Sequence, residues 1–356
     1  MPLGKASPDL IVVGGGVIGL SVAMTAMKTG LAVRVVDDAI PGAASRVAAG
    51  LLAPSLGSLP PRAAAAFRMA NDEYPRFLAS VRESSGHDEL SVGKGILEIT
   101  LSPLDVVSLD AAGDPAGIRL SSQDVSEQAP DLTAVAAAVL HPEDGWIEPR
   151  GLLDALAVTL PVGALTRGRV VRIDSGPDLV VLMVTGERLR CGHVVLAAGS
   201  WSPLIGGLSC QLPIAPARGE LLVLETSHTL PYAIACEEGY LVPRRGEIVV
   251  GSTFELVGYD SSTTTAGRLS LERFAARVIP NAFARATAIS SWAGLRPMTP
   301  DKLPIIDYDP ADRRVVFACG HGKNGLLLAG LTAEIVLDLL AGNRLEADSP
   351  FRLDRF

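Results

Sequence analysis

Asp9-Leu-Ile-Val-Val-Gly14-Gly15-Gly16-Val-Ile-Gly19-Leu20 is the stretch that decides the fold class of this chain. A short apolar run, which predicts a buried strand, ends directly in G-x-G-x-x-G, and a segment compatible with a helix follows to Thr29. A second apolar run over residues 31–36 ends in Asp37, roughly twenty positions past the glycines. The pattern predicts a βαβ unit that binds a dinucleotide.

The chemistry of dinucleotide binding explains each part of this unit. Gly14 allows the tight turn, Gly16 lets the backbone approach a pyrophosphate, and Gly19 lets the helix pack close to the strand. The helix N-terminus offers unpaired N–H groups to phosphates, and the Asp37 carboxylate can accept hydrogen bonds from ribose hydroxyls. A purely structural glycine turn and a signal peptide are the alternatives, although consecutive glycines interrupt any apolar signal region.

Length and composition indicate a globular chain of about two domains. Of the 356 residues, 48% are hydrophobic, 20% are charged and only 4% are aromatic, which suits an α/β architecture. A net charge of −8 argues against a surface for nucleic acid or anionic membranes. The cysteines lack C-x-x-C spacing and the histidines are dispersed, so we expect reduced thiols, a cytoplasmic location and no metal site.

The pattern of apolar residues places further elements along the chain. From residue 214 to 252 it favours antiparallel strands without crossover helices. Glu334 and Asp338 interrupt the apolar stretch at residues 326–340, which therefore predicts a buried helix and no membrane span. We expect a helix over residues 63–84, loops and short helices over 105–132, a hairpin over 170–184, and strands over 220–224, 239–243, 248–251 and 288–295.

A series of motifs, in this order along nearly the whole chain, resembles the D-amino-acid-oxidase family of FAD-dependent amine oxidases. Within that family the motifs are most similar to the glycine oxidases of thiamine biosynthesis. Each motif alone is weakly specific, and the ordered set is specific for the family more than for a substrate. The motifs are residues 14–19 with Asp37, then 45–50, 145–150, 194–202, 216–220, 239–243, 292–297 and 320–328.

The resemblance implies non-covalently bound FAD in an α/β fold of two domains. A Rossmann-like FAD-binding domain would combine residues 1–85, 140–210 and 290–356, and an inserted, mainly antiparallel-sheet substrate domain would combine residues 86–139 and 211–289. The backbone of Val170 would hold the adenine, and Leu51 would lie beside the isoalloxazine ring. The residues expected at the cofactor are Gly14, Gly16, Val17, Ile18, Gly19, Asp37, Asp38, Ser45, Ala48, Ala49, Gly50, Leu51, Val170, Ala198, Gly199, Gly320, Gly322, Lys323, Asn324, Gly325 and Leu326.

The glycine-rich turn at residues 320–325 would place backbone N–H groups against the pyrimidine edge of the flavin. A helix that begins directly after Gly325 would point its N-terminus at the same edge. That dipole would stabilise the negative charge of reduced flavin near N1 and C2=O. A glycine-rich helix cap without a cofactor role is the alternative.

The resemblance also implies an amino-acid substrate whose carboxylate meets Arg296 and Tyr240. A guanidinium matches a carboxylate with two parallel hydrogen bonds, and Arg296 follows the strand expected over 288–295. The hydroxyl of Tyr240 would help to hold the same carboxylate, while Leu51, Phe254 and Gly322 would line the pocket. The alternatives are a turn-capping role for Arg296 and ordinary core packing for Tyr240 and Phe254.

Gly322 and Lys323 depart from the glycine oxidases, which commonly carry an aromatic residue and then an arginine there. Lys323 keeps a positive charge but loses the planar fork of arginine, and Gly322 removes an aromatic wall. We therefore expect a roomier pocket with a looser carboxylate clamp, which suits a larger D-amino acid or an N-substituted glycine. If Lys323 lies near flavin N5, we expect it also to assist charge development during O2 reduction.

The function expected from the resemblance is FAD-dependent oxidative deamination of a small amino acid or amine, such as glycine, sarcosine or a D-amino acid. Hydride transfer to flavin N5 would give an imine and then a 2-oxo acid and ammonia, and O2 would become hydrogen peroxide. A D-amino-acid dehydrogenase with another electron acceptor, an NAD-dependent dehydrogenase and a non-catalytic flavoprotein stay open. A homo-oligomer is also left open, and no nucleic-acid partner is expected.

Overall fold

The computed structural model describes residues 7–57, 59–102, 116–133 and 135–356, so part of the loop segment expected over 105–132 lies outside the described residues. The described strands are β1 (Leu10–Val13), β2 (Val33–Asp37), β3 (Leu51–Leu52), β4 (Val92–Thr100), β5 (Ile118–Leu120), β6 (Ala137–Ile147), β7 (Leu165–Arg167), β8 (Val170–Asp174), β9 (Leu179–Met183), β10 (Arg188–Cys191), β11 (His193–Leu196), β12 (Ala215–Glu225), β13 (Ala233–Cys236), β14 (Gly239–Arg244), β15 (Glu247–Gly251), β16 (Thr287–Met298), β17 (Ile305–Asp309) and β18 (Asp312–Cys319).

The described helices are α1 (Val17–Lys28), α2 (Ala44–Val47), α3 (Pro61–Asp72), α4 (Tyr74–Ser85), α5 (Ser122–Gln128), α6 (Pro149–Val158), α7 (Thr265–Val278), α8 (Pro280–Phe283) and α9 (Ala329–Leu340). Short 3-10 helices cover Gly199–Leu204 and Leu353–Arg355. Within the described part of the chain, none of these helices has the length and apolar character that a membrane crossing requires.

The first sheet contains the predicted βαβ unit and has the strand order β17-β18-β11-β1-β2-β7. All neighbours pair in parallel except β17, which forms an antiparallel edge with β18. Leu10 and Val12 of β1 belong to one hydrophobic core, while Ile11 and Val13 belong to another. Both faces of β1 are therefore buried, which accounts for its uninterrupted apolar sequence.

A small antiparallel sheet of order β10-β9-β8 packs on one of these cores, and its β8–β9 hairpin confirms the hairpin expected over residues 170–184. The largest sheet has nine strands, with β16-β12-β15-β14-β13-β4-β6-β3 in order and β5 paired with β6. The strands β12, β14 and β15 pair antiparallel as the sequence predicts. Leu222 and Leu224 pack in a core with helix α7, whereas Leu221 and Val223 face the opposite side.

Three predicted element boundaries are wrong. The helix expected over residues 63–84 is divided into α3 and α4 around Glu73, because Pro75 lacks the N–H that a continuous helix needs. Strand β16 continues to Met298 and so includes Arg296 and Pro297. The last helix begins at Ala329 after a series of turns and not directly after Gly325.

Candidate active site

The glycine turn between β1 and α1 fits its surroundings so closely that side chains are excluded. Gly14 has φ of +115°, and a Cβ there would lie 2.3 Å from the carbonyl oxygen of Ala197. A Cβ at Gly19 would lie 1.9 Å from the carbonyl oxygen of Gly14. The turn can therefore run directly under a ligand at the N-terminus of α1, where backbone N–H groups point outward.

Two polar side chains from outside the βαβ turn are held against it. Asp37 accepts a hydrogen bond from the Gly15 N–H at 3.0 Å through Oδ1, and its Oδ2 pairs with Arg167 at 2.7 Å. Ser45 Oγ accepts from the N–H of Val17, the first residue of α1, at 3.1 Å. The acid at the end of β2 therefore lies directly beside the glycine turn, and its predicted role toward a ribose stays a prediction.

A smaller cavity of about 500 Å³ opens above this turn. Tyr259 closes one side of it; its hydroxyl donates to the Ser200 carbonyl at 3.0 Å, and its ring packs 6.0 Å from that of Trp201. The predicted cofactor residues that line this cavity are Gly14, Gly16, Val17, Ile18, Asp37, Asp38, Ser45, Val170, Ala198, Gly199, Gly322 and Gly325.

A larger cavity of about 1160 Å³ borders the smaller one, and Val17, Ser45, Gly322 and Gly325 line both. An extended ligand can therefore occupy both spaces with one end in each. The predicted residues that line the larger cavity but not the smaller one are Ala48, Ala49, Gly50, Leu51, Tyr240, Phe254, Arg296, Lys323, Asn324 and Leu326. Gly19 and Gly320 line neither cavity and act in the backbone turns beneath them.

The segment that includes Gly50 and Leu51 is fixed along the border between the cavities. Gly50 has φ of +106°, and a Cβ there would lie 1.9 Å from the Ile147 carbonyl oxygen. The Ile147 N–H donates to the Gly50 carbonyl at 2.9 Å, and Trp292 Nε1 donates to the Val47 carbonyl at 2.9 Å. This small-residue segment is therefore a built wall of the site and not the flexible linker that its composition also allows.

Arg296 reaches the larger cavity from within β16, where its guanidinium lies flat on Gly219 of β12. A Cβ at Gly219 would lie 2.1–2.3 Å from the Cζ and Nη atoms of Arg296. Nη1 donates to the Thr253 carbonyl at 3.2 Å, and Nη2 donates to Ser252 Oγ. The guanidinium is thus oriented by neutral acceptors, which leaves its charge available to an anion in the cavity.

Two buried charges flank Gly219 on the other face of β12 and hold the segment over residues 252–264. Arg218 is 4% exposed; it donates to Glu255 at 3.1 Å and to Asp260 at 2.8 Å. Glu220 is 1% exposed and accepts two hydrogen bonds from Thr264, at 2.9 and 2.8 Å. This segment supplies Ser252 and Thr253, which accept the hydrogen bonds of Arg296. Arg218 and Glu220 therefore fix the side chain of Arg296 indirectly.

Tyr240 lies on the same concave face of the sheet as the arginine. It pairs with Gly251 across the strands, and a Cβ at Gly251 would lie 2.3–2.5 Å from the ring and hydroxyl of Tyr240. The tyrosine therefore lies flat over glycine with its hydroxyl toward the cavity. Phe254 lines the larger cavity while remaining 61% exposed, so it belongs to the rim and not to a packed core.

The turn after β18 brings Lys323 to the larger cavity. The Gly322 N–H donates to the Pro297 carbonyl at 2.9 Å, which attaches the turn to the strand of Arg296. Lys323 lies at the cavity edge; partial desolvation by the cavity wall, and the charges of Lys302 and Arg296, lower the pKa of its ammonium below the usual range, while Glu98 opposes that change. The lysine therefore adds a second cation that gives up its proton more readily than a free lysine.

Two expectations for this turn change once its geometry is considered. The aromatic wall missing at Gly322 is partly replaced by Met298, whose Sδ would lie 3.1 Å from a Cβ at Gly322. Helix α9 begins only at Ala329, so the positive end of its dipole lies beyond the residues that line the cavity.

His321, in the same turn, is buried, and its Nε2 lies 2.9 Å from Thr332 Oγ1. Burial lowers the pKa of His321 to about 3, which keeps the ring neutral.

Sequence reasoning missed several residues around the larger cavity. Glu98, Ser252 and Thr253 line it, and Tyr259 lines the smaller one. The acid could have been noticed as the one charged residue in the apolar stretch 96–101, but only strand pairing shows which face of β4 meets the cavity. The other residues lie in or beside a loop whose path is set by Arg218, and no local pattern reveals that contact.

Comparison with known proteins agrees with this geometry. The family model DAO, described as FAD dependent oxidoreductase, matches residues 9–339, and the chain belongs to this family of FAD-dependent oxidoreductases. A glycine oxidase of Geobacillus kaustophilus is 29% identical over 368 residues, covering 98% of this chain and 97% of that protein. A crystal structure of glycine oxidase from the same organism superposes with a TM-score of 0.87 at 27% identity, covering 98% of this chain and 99% of that one.

The bifunctional protein ThiO/ThiG of Synechocystis sp. is 29% identical and covers 94% of this chain. The chain spans about half of that relative, 52% of its length. The predicted family, the α/β fold class and the FAD cofactor are confirmed by these findings. The residues also fit FAD, because two contiguous cavities meet at a side-chain-free turn with an acid beside it.

Proposed function

We propose that this protein is an FAD-dependent oxidase of a small amino acid or amine, which it converts to an imine that hydrolyses to a 2-oxo acid and ammonia. The single observation that carries the proposal is the guanidinium of Arg296, held flat on Gly219 at the face of the larger cavity. Bound FAD supplies a two-electron acceptor there, and O2 is the proposed final acceptor. The glycine oxidase names of the relatives support an amino-acid substrate.

The residues of the cavity bind and orient a zwitterion. The guanidinium of Arg296 can donate two parallel hydrogen bonds to a carboxylate, and the Tyr240 hydroxyl can donate a third. Lys323 adds positive charge to the same region, so the substrate carboxylate is held while its amine and α-carbon face the border between the cavities. This alignment is the protein's contribution to the rate, because proximity and orientation lower the barrier.

Among the described residues, the groups lining the larger cavity that could accept a proton are the carboxylates Glu98, Glu237 and Glu238 and the amine of Lys323, whose pKa is lowered by desolvation and by nearby cations. We propose that the amine enters uncharged or gives its proton to water through the open cavity edge. The FAD-binding and substrate-binding domains are proposed with the bounds given from the sequence. The cytoplasmic location and the homo-oligomer stay predictions.

The test is anaerobic reduction of the purified yellow protein by a panel that includes glycine, sarcosine and both enantiomers of alanine and larger amino acids. Loss of the visible flavin absorbance, followed by its rapid return in air with stoichiometric hydrogen peroxide, supports the oxidase. Reduction without rapid reoxidation in air would indicate a dehydrogenase with another acceptor. Flavin that no member of the panel reduces would overturn the proposed function.

A further inference from the structure

Glu98 is an acidic residue in the lining of the larger cavity, the same cavity in which Arg296 is proposed to bind a substrate carboxylate. It lies in β4 between Leu97 and Ile99, which are buried in the core beneath helix α7. Ile96, two residues before it, packs with Ala235 on the cavity side. Since side chains alternate along a strand, Glu98 points to the cavity side as well, and it lines the larger cavity.

Strand register places Glu98 and Tyr240 in one row on the same face of the sheet. Glu98 pairs with Ala235, Ala235 pairs with Tyr240, and Tyr240 pairs with Gly251. The acid and the tyrosine are thus two strands apart, roughly 10 Å between their backbones. The Tyr240 ring lies over Gly251 of β15, away from Glu98, and Ala235, the small residue between them in the row, also lines the larger cavity.

The carboxylate of Glu98 is held by a histidine of the neighbouring strand β6. His141, whose side chain is 2% exposed, lies 3.1 Å from Glu98 Oε2 through Nε2, while the Glu98 side chain keeps 20% exposure toward the cavity. A carboxylate with one oxygen held by a buried ring has its other oxygen available to a donor. Glu98 is therefore oriented like a binding group and not like a freely rotating surface acid.

The charges that face the cavity separate into two regions. Arg296 lies in β16, and the turn that carries Lys323 is bonded to the same strand through the Gly322 N–H and the Pro297 carbonyl; β4, which carries Glu98, is separated from β16 by four strands of the largest sheet. Glu237, in the turn between β13 and β14, adds a further acid near Glu98, whereas its neighbour Glu238 is paired with Arg277. Lys323 is therefore attached to the strand of Arg296, toward the opposite end of the strand order from Glu98.

We propose, resting on the function proposed above, that the preferred substrate is an α-amino acid whose side chain ends in a cation. Arg296 and Tyr240 hold its carboxylate, and Glu98 accepts hydrogen bonds from an ammonium or guanidinium at the length of ornithine or lysine. A charge-assisted hydrogen bond to a fixed carboxylate discriminates strongly against a neutral side chain, because that ligand leaves the second carboxylate oxygen of Glu98 without a donor from the substrate. Glu98 is thus the specificity-determining residue.

The test compares kcat/KM for lysine and ornithine with that for norleucine, which has a neutral side chain of similar length, in both enantiomers. The wild-type protein is expected to prefer the basic substrate by about tenfold or more, and Glu98→Gln to lose that preference. Glu143→Gln, at an exposed acid paired with Lys94 outside the cavity, is the matched control and retains the preference. The visible flavin spectrum verifies that each variant is folded and loaded.

A binding measurement keeps the inference testable should Glu98→Gln fail to fold. Wild-type protein is titrated with δ-aminovalerate and with valerate, which share a carboxylate and differ in the terminal ammonium, while the flavin spectrum reports binding. Tighter binding of δ-aminovalerate supports the inference. Equal affinities, or an unchanged substrate ratio in Glu98→Gln, would overturn it while leaving the oxidase intact; a flavin that no amine reduces would overturn the proposed function instead.

Discussion

The guanidinium of Arg296 rests on the bare main chain of Gly219, with no room for even one additional methyl group between them. A Cβ at Gly219 would lie 2.1–2.3 Å from three atoms of the guanidinium. The two residues belong to the paired strands β16 and β12, where Ala217 is the direct register partner of Arg296. The pairing of these two strands therefore sets the orientation of the Arg296 guanidinium in the absence of substrate.

Gly219→Ala is expected to displace this guanidinium and to weaken carboxylate binding without loss of FAD. We predict that KM for the amino-acid substrate rises by about tenfold or more, as for the loss of a charge-assisted hydrogen bond. Steady-state kinetics and the flavin content of the purified variant measure the two effects. Gly176→Ala, at a turn where the nearest atom to a Cβ is 3.7 Å away, is the control; an equal rise in KM there would contradict the argument.

Arg218→Met is expected to loosen the segment over residues 252–264 and so to disturb the acceptors of Arg296. Because Arg218 is 4% exposed while Glu255 and Asp260 are partly solvated, we predict a loss of about 1–3 kcal/mol in unfolding free energy. We also expect a higher KM with less change in kcat, and partial recovery of both in Arg218→Lys. Urea unfolding and kinetics test this; a stability loss with unchanged KM would limit Arg218 to a structural role.

His321 gives the fold a dependence on pH with a defined sign. Burial lowers its pKa in the folded protein to about 3, below the ordinary histidine value of 6.5, so between these values the unfolded chain binds a proton that the folded chain does not. This contribution to stability is complete above the unfolded pKa and declines as pH falls through that window, by at most about 1.4 kcal/mol per pH unit. Urea unfolding at several pH values should show a shallower acid loss in His321→Gln than in the wild type; parallel curves would contradict a neutral His321.

Lys323→Met removes the second cation of the larger cavity. We predict slower reoxidation of the reduced flavin in air and a weaker hold on the substrate carboxylate. Because the pKa of Lys323 is lowered, the wild-type reoxidation rate should decline with rising pH at a pH below the ordinary lysine value of 10.5, and the variant should lack this alkaline decline. Stopped-flow mixing with O2 across pH measures it. Unchanged reoxidation in Lys323→Met would end the role assigned to this lysine in O2 reduction.

The glycine turn and the first two strands could be predicted because their signals are local. Gly14, Gly19 and Asp37 follow each other at fixed spacing, and their geometry depends on the chain between them. The continuation of β16 through Pro297 was not predictable from the residue type, since proline ordinarily ends a strand. Among the described strands, β16 lies at the end of the largest sheet and pairs there with β12, and an edge strand tolerates the missing N–H.

The candidate site was predictable only in part, for a related reason. Arg296 and Tyr240 were found through the resemblance, whereas Gly219 and Glu98 gain their meaning from pairing between distant strands. The apolar stretch over residues 96–101 does not show which face of its strand will meet a cavity, and the partners of Glu98 in the sheet, Val139 and Ala235, are far away in the sequence. The domain bounds and the individual residue roles remain predictions.

The most direct test of the account is an anaerobic titration of wild-type protein and Arg296→Met with the best amino acid of the panel, followed by flavin absorbance. The account predicts full reduction of the wild type and, in the variant with FAD still bound, a concentration for half-reduction at least about a hundredfold higher, as for loss of a bidentate charge pair. An equally effective reduction of Arg296→Met at the same concentrations would contradict the assignment of this arginine as the carboxylate-binding group.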